Sequence, residues 1–420
     1  MTQMLSLDAH PEVVTPAAAS ANGAPPAPVL LAVDANAIVL AGPDPHAQAQ
    51  EAIALAAELA HAVPAPQVGM GPALPLLDRD LSILAFNERV LSWAERKDVP
   101  LLERLRYLCI VSSNLDEWFE VRSAPHVAVA QTGEERDSYT RTRFAALMDK
   151  AQALVAQQYQ IYNQALIPAF PTHGIRLISH CERNAAQRRW VHEYFLREVQ
   201  PLLVPVGLDP SHPFPQVANK ALNFIVRLDG VDAFGRANEV AIVKVPRALP
   251  RLIPMPQKIA GKQRLFVSIS SIVRAHLAEL FPGREVTEFS QFRVTRNSDL
   301  AVDEEDVINL RMALRQGLHH RHYGQAVRLE VSASCSAVLA NVLLQQHGLP
   351  QQALFRVKGP VNLVRQMQLI DLVDDPALLF SPWKPAWPRQ LVAGRSVMEQ
   401  MRKGDVLIHQ PYESFDAVLA

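Results

Sequence analysis

The sequence predicts a multidomain protein of the α and α+β classes, with an N-terminal helical bundle followed by a mixed α+β head domain. Apolar residues recur at three- and four-residue spacing across 76–202, and they alternate with a period of two in several stretches of 203–372. The chain of 420 residues is long enough for more than one hydrophobic core. We therefore expect four segments, namely 1–75, 76–202, 203–372 and 373–420.

Residues 1–75 are dominated by alanine and proline and contain few aromatic residues. Such a composition buries too little apolar surface to offset the entropy lost on ordering the chain. We expect this segment to be a disordered tail, and we assign it no role.

The bundle prediction rests on four stretches of helical periodicity. They are Ile83–Trp93, Leu101–Leu108, Phe144–Leu166 and Asn184–Val199. A polar break at Ser112–Asn114 is predicted to separate the second helix from a new one. Asn114 is followed three residues later by a glutamate, and this spacing is typical of a helix cap.

The head prediction rests on alternating apolar residues, which indicate half-buried strands at Leu222–Leu228 and Val327–Val331. Helical patterns lie between them at Ile269–Leu280 and Asp303–Leu318. The proline- and tryptophan-rich run Pro382–Pro388 predicts an extended crossing segment. Helices mixed with alternating strands favour the α+β class.

The overall composition excludes several classes of function. Lysine and arginine number 41 against 42 aspartates and glutamates, so the composition gives no sign of a general affinity for nucleic acid. The three cysteines form no C-x-x-C pair, which argues against a thiolate metal site. No apolar run approaches the roughly 18 residues that span a bilayer, and Met1–His10 lacks a signal-peptide pattern. We therefore expect a cytoplasmic protein.

A series of sequence blocks resembles the polyphosphate kinase family, of the type that is phosphorylated on histidine. The order and the spacing of the blocks match that family over about residues 76–416. The blocks are Leu81–Leu91, Pro100–Leu108, Ser112–Glu117, Ser211–Pro215, Asn219–Lys220, Gln291–Leu300, Val327–Val331, Gly359–Leu363 and Gly404–Phe415.

The resemblance implies reversible transfer of the terminal phosphate of ATP to polyphosphate through a phosphohistidine. It also implies that ATP is a substrate, that magnesium takes part in the full-length enzymes and that the protein forms homo-oligomers. In that family, two later domains, similar in fold to phospholipase D, supply the histidines and the magnesium-associated residues. The sequence ends before those positions, so we expect this chain to be inactive alone. We assign no catalytic residue and no metal ligand.

The resemblance assigns ATP binding to Asn114, which matches the position with which the family contacts the nucleotide. By residue type alone, a helix cap is the favoured interpretation of Asn114. The two roles are compatible, because a helix start offers free N–H donors to an anion.

Six basic residues and no acidic one lie between Ala241 and Arg264. A polyphosphate chain could follow such a strip, although a solvated loop has the same composition. Arg293 and Arg296 could serve the same role or could instead pair with Asp299 or Glu330. The candidate polyphosphate contacts are Lys244, Arg247, Arg251, Arg293, Arg296 and Lys358.

A second function stays open, namely a non-catalytic module that binds polyanions or docks on an enzyme. The sequence does not decide between a natural short form and a fragment. The histidines of His319–His322 are interpreted as an exposed helix end rather than a metal site, because no carboxylate or cysteine pattern completes a ligand set. The sequence contains no G-x-x-x-x-G-K-[ST] motif, which argues against a P-loop kinase.

Overall fold

The structure is a computed structural model, and it describes residues 77–209, 211–231, 235, 239–298 and 324–419. The predicted tail, the predicted helix Asp303–Leu318 and the histidines of His319–His322 lie outside these residues. Among the helices in the described ranges, none combines the length and the apolar character needed to cross a membrane.

The N-terminal part of the described chain is helical, as the periodicity predicted. Its helices are α1 Arg79–Glu95, α2 Leu101–Arg122, α3 Ala124–Thr132, α4 Arg141–Ile161 and α5 Ala185–Tyr194. Helix α4 continues into one π-helical turn at Tyr162–Leu166, and α5 continues into another at Phe195–Val199.

Polar side chains cap the N-termini of three of these helices. Asp78 accepts a hydrogen bond from the Leu81 amide at 2.9 Å and so caps α1. Thr140 caps α4 in the same way. Asn184 and Gln187 form a reciprocal capping box at the start of α5. Each cap satisfies an amide that would otherwise lack a partner at the helix end.

Helix α2 is continuous through Ser112–Asn114, so the predicted helix start at Asn114 is wrong. Leu108, Leu115 and Phe119 are buried on both sides of the polar triplet. Each buried side chain contributes about 1.5–3 kcal/mol, whereas serine or asparagine lowers helix stability by only about 0.5 kcal/mol. Packing therefore carries the helix across the triplet.

The head contains a six-stranded sheet in the order β2-β4-β3-β7-β8-β9. All neighbouring strands are antiparallel except β8 and β9, which are parallel. This sheet confirms the α+β class. Its strands are β2 Val204–Gly207, β3 Asn223–Asp229, β4 Val240–Lys244, β7 Glu285–Arg296, β8 Ala326–Ser332 and β9 Leu354–Val357.

A second sheet of three strands joins the helical part to the head, in the order β1-β6-β5. Strand β1, Ile175–Leu177, pairs in parallel with β6, Arg264–Ser268, and β5 is Leu252–Pro254. The predicted segments 76–202 and 203–372 therefore share a sheet. The remaining helices are α6 Gln257–Ala260, α7 Ile269–Ala275, α8 Ala337–Gln346, α9 Gln368–Val373, α10 Val397–Met401 and α11 Asp416–Leu419.

The strands predicted to be half-buried are buried on both faces over most of their length, and in β3 only Arg227 and Asp229 near its end are exposed. In β3, Phe224, Ile225 and Val226 are all inaccessible to solvent. In β8, Arg328 and Glu330 alternate with apolar residues and are buried as well. The alternation in β8 therefore marks a charged face that packs against protein rather than a face in water.

The charged face of β8 belongs to a buried ion cluster of Asp116, Arg293, Arg328 and Glu330. Arg293 donates two hydrogen bonds to the Asp116 carboxylate, at 2.8 and 2.9 Å, and also pairs with Glu330. Arg328 donates to Glu330 at 2.5 Å and lies 3.4 Å from Asp116. Burial opposes the charge on Arg293, but the two carboxylates outweigh burial and raise its pKa.

The cluster joins α2 to the centre of the sheet, because Asp116 belongs to α2 and its partners to β7 and β8. The Arg328 guanidinium lies 4.7 Å from the Phe119 ring centroid and 4.8 Å from that of Phe355. Both aromatic faces attract the cation while excluding water. Two cations and two anions leave the cluster formally neutral.

We expect Glu330→Gln to lower the free energy of unfolding by about 3–5 kcal/mol, because the substitution leaves two buried guanidinium groups with one carboxylate. Urea denaturation at neutral pH measures the change. The matched control is Glu88→Gln, which breaks the surface pair of Glu88 and Lys150 (2.8 Å) and should change stability by about 0–1 kcal/mol. Equal effects of the two substitutions would contradict the proposed role of the cluster.

Candidate functional site

Asn114 lies in the middle of α2 and is half-buried. Its Nδ2 donates to Oδ1 of Asn87 at 2.9 Å, and the Asn87 amide donates in turn to the Ile83 carbonyl at 3.0 Å. Within the described chain, no hydrogen bond reaches Asn114 Oδ1. The buried Asn87 thus orients the Asn114 amide and leaves an acceptor and one N–H donor for a ligand. A ligand at Asn114 would meet this side chain rather than a helix N-terminus.

The structure brings Arg247 and Arg251 near a third arginine, Arg365. Arg251 is only 8% exposed, and its Nη1 is buried without a hydrogen-bond partner. No carboxylate within the described residues pairs with it. Burial, followed by the charges of Arg365, Arg247 and Arg293, lowers the pKa of Arg251 to about 10.

The backbone around Arg251 is held in place by α9. The amides of Arg251 and Leu252 both donate to Oε1 of Gln368, at 2.9 and 3.3 Å. Arg247 and Arg365 are exposed, and the Arg247 guanidinium also donates to the Asn219 carbonyl. The result is a buried cation with two exposed cations nearby. We call Arg247, Arg251 and Arg365 the arginine cluster.

The arginine cluster has the charge and the donors of an anion site. An unpaired buried charge is unfavourable, and an anion with several oxygens would compensate it while accepting hydrogen bonds from more than one guanidinium. Arg365 was missing from the sequence-based candidates because only the fold brings it near Arg251. The signal that could have suggested it is its position two residues after the block Gly359–Leu363.

The other candidate cations lie in different surroundings. Arg293 is fully buried in the ion cluster and does pair with Glu330, so its guanidinium is not at a surface. Arg296 donates to the Gly324 carbonyl at 2.9 Å. Lys244 ends β4 and is half-buried. Asp299, the other suggested partner of Arg293 and Arg296, lies outside the described residues.

Lys358 lines a groove of about 770 Å³ between α4 and β9, whose lining includes none of the other five candidate cations. The groove is lined mainly by amide and apolar side chains with one further cation, Arg356. The Asn163 amide donates to the Lys358 carbonyl at 2.7 Å and fixes the backbone there. Lys358 therefore belongs to a different surface from the arginine cluster.

Several of the sequence blocks hold the two parts of the fold together. Lys220 pairs with Glu120 of α2 at 2.8 Å. The Tyr159 hydroxyl donates to the Pro360 carbonyl at 2.6 Å. A Cβ on Gly359 would lie 3.0 Å from the Tyr159 ring, so only glycine fits there without displacing the ring. These blocks therefore carry packing between the helical part and the head.

Two sequence-family models match the chain. The polyphosphate kinase N-terminal domain matches residues 76–178, and the polyphosphate kinase middle domain matches residues 186–369. The chain belongs to the polyphosphate kinase family. The two matched regions correspond to the helical part and to the head.

Relatives agree with this assignment. The chain is 47% identical over 348 residues to a polyphosphate kinase of Neisseria meningitidis serogroup B, covering 82% of this chain and 51% of that protein. It is 46% identical over 356 residues to a polyphosphate kinase of Burkholderia multivorans, covering 83% and 52%. The chain spans about half the length of the curated relatives it matches.

A solved structure is also similar, namely the crystal structure of polyphosphate kinase from Porphyromonas gingivalis. The TM-score is 0.67 at 26% sequence identity, and the match covers 83% of this chain and 49% of that chain. The fold predicted from the sequence is therefore confirmed by a polyphosphate kinase of known structure.

We expect tripolyphosphate to stabilise the chain through Arg251. At a free concentration 100 times the Kd, the anion should add about 2.7 kcal/mol. Arg251→Met should abolish this gain while leaving the anion-free chain at least as stable, because an uncompensated buried charge is removed. Thermal unfolding at low salt, with and without tripolyphosphate, measures both effects.

Arg227→Met is the control, because Arg227 is an exposed arginine of β3 in the six-stranded sheet, whereas Arg251 directly precedes β5 of the three-stranded sheet. This variant should keep the stabilisation by tripolyphosphate. A retained shift in Arg251→Met would contradict the assignment of the anion to the arginine cluster.

Proposed function

We propose that this chain contributes to the reversible transfer of the terminal phosphate of ATP to polyphosphate, by contacting the nucleotide and holding a phosphate chain. The observation that carries the proposal is the arginine cluster, in which a buried guanidinium has no carboxylate partner among the residues that the structure describes. Polyphosphate is a polyanion whose oxygens can each accept a charge-assisted hydrogen bond. Membership of the polyphosphate kinase family supports this choice of anion.

Asn114 supplies the proposed nucleotide contact. Its free Oδ1 can accept a hydrogen bond from an amino or hydroxyl group, which ATP carries on its base and ribose and which polyphosphate lacks. Phosphate oxygens, in contrast, only accept hydrogen bonds at neutral pH, and the arginines only donate. The two sites are therefore suited to the two different parts of the reaction.

We expect magnesium to accompany ATP, the chain to form homo-oligomers and the protein to act in the cytoplasm. Among the described residues, one group of three metal-ligating side chains occurs, at His192, His276 and Glu279. Two imidazoles and one carboxylate suit magnesium poorly, because that ion prefers oxygen ligands. We therefore assign no magnesium ligand within the described chain.

The test supplies the half of the Neisseria meningitidis relative that this chain does not match. The purified chain is incubated with that half and with ATP labelled on its terminal phosphate. We expect labelled long polymer in the mixture. The chain alone should form neither polymer nor acid-labile phosphoprotein. Phosphoprotein on the chain alone would mean that one of its own histidines is the nucleophile, and absence of polymer from the mixture would contradict the proposed contribution.

The second candidate function is a non-catalytic module that binds polyanions. The arginine cluster is compatible with this second function, because arginines can bind an anion without any catalytic residue. If the mixture forms no polymer but tripolyphosphate still stabilises the chain through Arg251, this second function replaces the first.

We expect Asn114→Leu to weaken ATP binding by about tenfold, which corresponds to about 1.4 kcal/mol and to the loss of one or two hydrogen bonds. Binding of tripolyphosphate should not change, because that ligand lacks base and ribose. Isothermal titration of both ligands measures the difference. The control is Ser113→Ala at the neighbouring exposed position. Equal ATP affinity of Asn114→Leu and the unsubstituted chain would refute the contact.

A further inference from the structure

Three metal-ligating side chains from two separate regions of the chain, 192 and 276–279, come close together. His192 lies in the last turn of α5, His276 follows the end of α7, and Glu279 belongs to the short 3-10 turn Ala278–Leu280. One ligand atom from each residue lies within 4.8 Å of the others. Nδ1 of His192 and Oε1 of Glu279 are 3.6 Å apart. Neither Asn114 nor the arginine cluster contributes to this group.

His276 is oriented as metal-binding histidines usually are. Its Nδ1 lies 2.8 Å from the Ile272 carbonyl oxygen, which can only accept, so Nδ1 carries the proton. The lone pair is therefore on Nε2. A histidine that donates one ring N–H to a backbone carbonyl is held in the tautomer and the orientation that favour a metal at the other nitrogen.

The ring of His276 is also fixed by packing. It is 6% exposed, and it stacks on Phe195 with ring centroids 4.3 Å apart and an angle of 9°. The ring of His276 also stacks on that of His192, with the ring centroids 5.3 Å apart. Burial is the main cause that lowers the pKa of His276, so at neutral pH the ring is neutral, as a metal ligand must be.

The other two side chains can adjust to a bound ion. The side chains of His192 and Glu279 are 47% and 39% exposed. Ligand atoms of a tetrahedral zinc site are about 3.4 Å apart, given metal–ligand distances of about 2.1 Å. The His192–Glu279 separation already approaches that value. Rotation of these two side chains about the fixed His276 would close the remaining distances.

We propose that His192, His276 and Glu279 form a binding site for a divalent transition metal such as Zn²⁺. Two imidazoles and one carboxylate are a set that zinc accepts, with a water at the fourth position. The ion would link α5 to the segment that follows α7, and so would join the chain before β2 to the chain after β6. The buried cation Arg183 is close enough to influence His276, which limits the affinity, while the carboxylate of Glu279 opposes that charge.

The test measures Zn²⁺ binding to the purified chain, stripped of metal, by competition with a chromophoric chelator. We expect His192→Ala and Glu279→Gln each to weaken binding by about tenfold or more. Both side chains are substantially exposed, so both variants should keep the circular dichroism spectrum of the unsubstituted chain. His276→Gln tests the buried ligand, and it is interpreted only if its spectrum is also unchanged.

The matched control is His212→Ala. His212 forms a similar exposed pair with Asp209, at 3.4 Å, but no third ligand joins that pair within the described residues. This variant should bind Zn²⁺ as the unsubstituted chain does. Zinc held by other histidines is common to all variants and cancels in the comparison. Equal affinity of all variants, or an equal loss in His212→Ala, would overturn the proposal.

The pH dependence gives an independent readout. A protonated imidazole cannot bind a metal, so the Zn²⁺ affinity should fall as the pH decreases from about 7.5 to 5.5, the range in which histidine generally takes up a proton. Zn²⁺ should also raise the melting temperature of the unsubstituted chain and of His212→Ala more than that of His192→Ala. Failure of the polyphosphate experiments would leave these outcomes unchanged.

Discussion

The buried ion cluster of Asp116, Arg293, Arg328 and Glu330 is the constraint on which the rest of the fold depends. It fixes both the position and the rotation of α2 against the sheet. Asn114 precedes Asp116 by two residues, and two residues correspond to about 200° around a helix. With Asp116 held against β7 and β8, Asn114 must face the opposite side, where Asn87 of α1 receives it. The orientation of the proposed nucleotide contact therefore follows from a charge interaction on the other face of the same helix.

Three buried arginines of this protein illustrate two opposite electrostatic situations. Arg293 and Arg328 are buried with carboxylates that neutralise them, and their role is to hold the fold together. Arg251 is nearly as buried but has cations rather than carboxylates around it. The formal net charge of −1 conceals this contrast, because the compensation is local. Arg247 and Arg251 both come from the basic stretch between Ala241 and Arg264, but only the structure shows that Arg251 is the member that is buried without a carboxylate among the described residues.

The sequence was sufficient for features that depend on neighbouring residues. Helical spacing predicted α1, α4 and α5, and alternation predicted β3 and β8. Features that depend on distant residues were missed. Asp116 and Arg293 are 177 positions apart, so the burial of Arg293 and the continuity of α2 could not be read from either segment alone. Arg365 was not predicted either, because its proximity to Arg251 arises only in the folded chain. The resemblance to the family suggested Asn114 as a nucleotide contact. Residue type alone suggested that Asn114 caps a helix, and the structure contains no such cap.

Strand β1 lies in the first half of the described chain, yet it completes a sheet whose other two strands belong to the head. Because β1 pairs with β6, the boundary between the helical part and the head lies within one sheet rather than at a hinge. If either part were exchanged between distant relatives, the two strands would still have to pair across that boundary. Evolution in this family is therefore expected to treat the two parts as a single heritable module, even though they are recognised as two separate sequence domains.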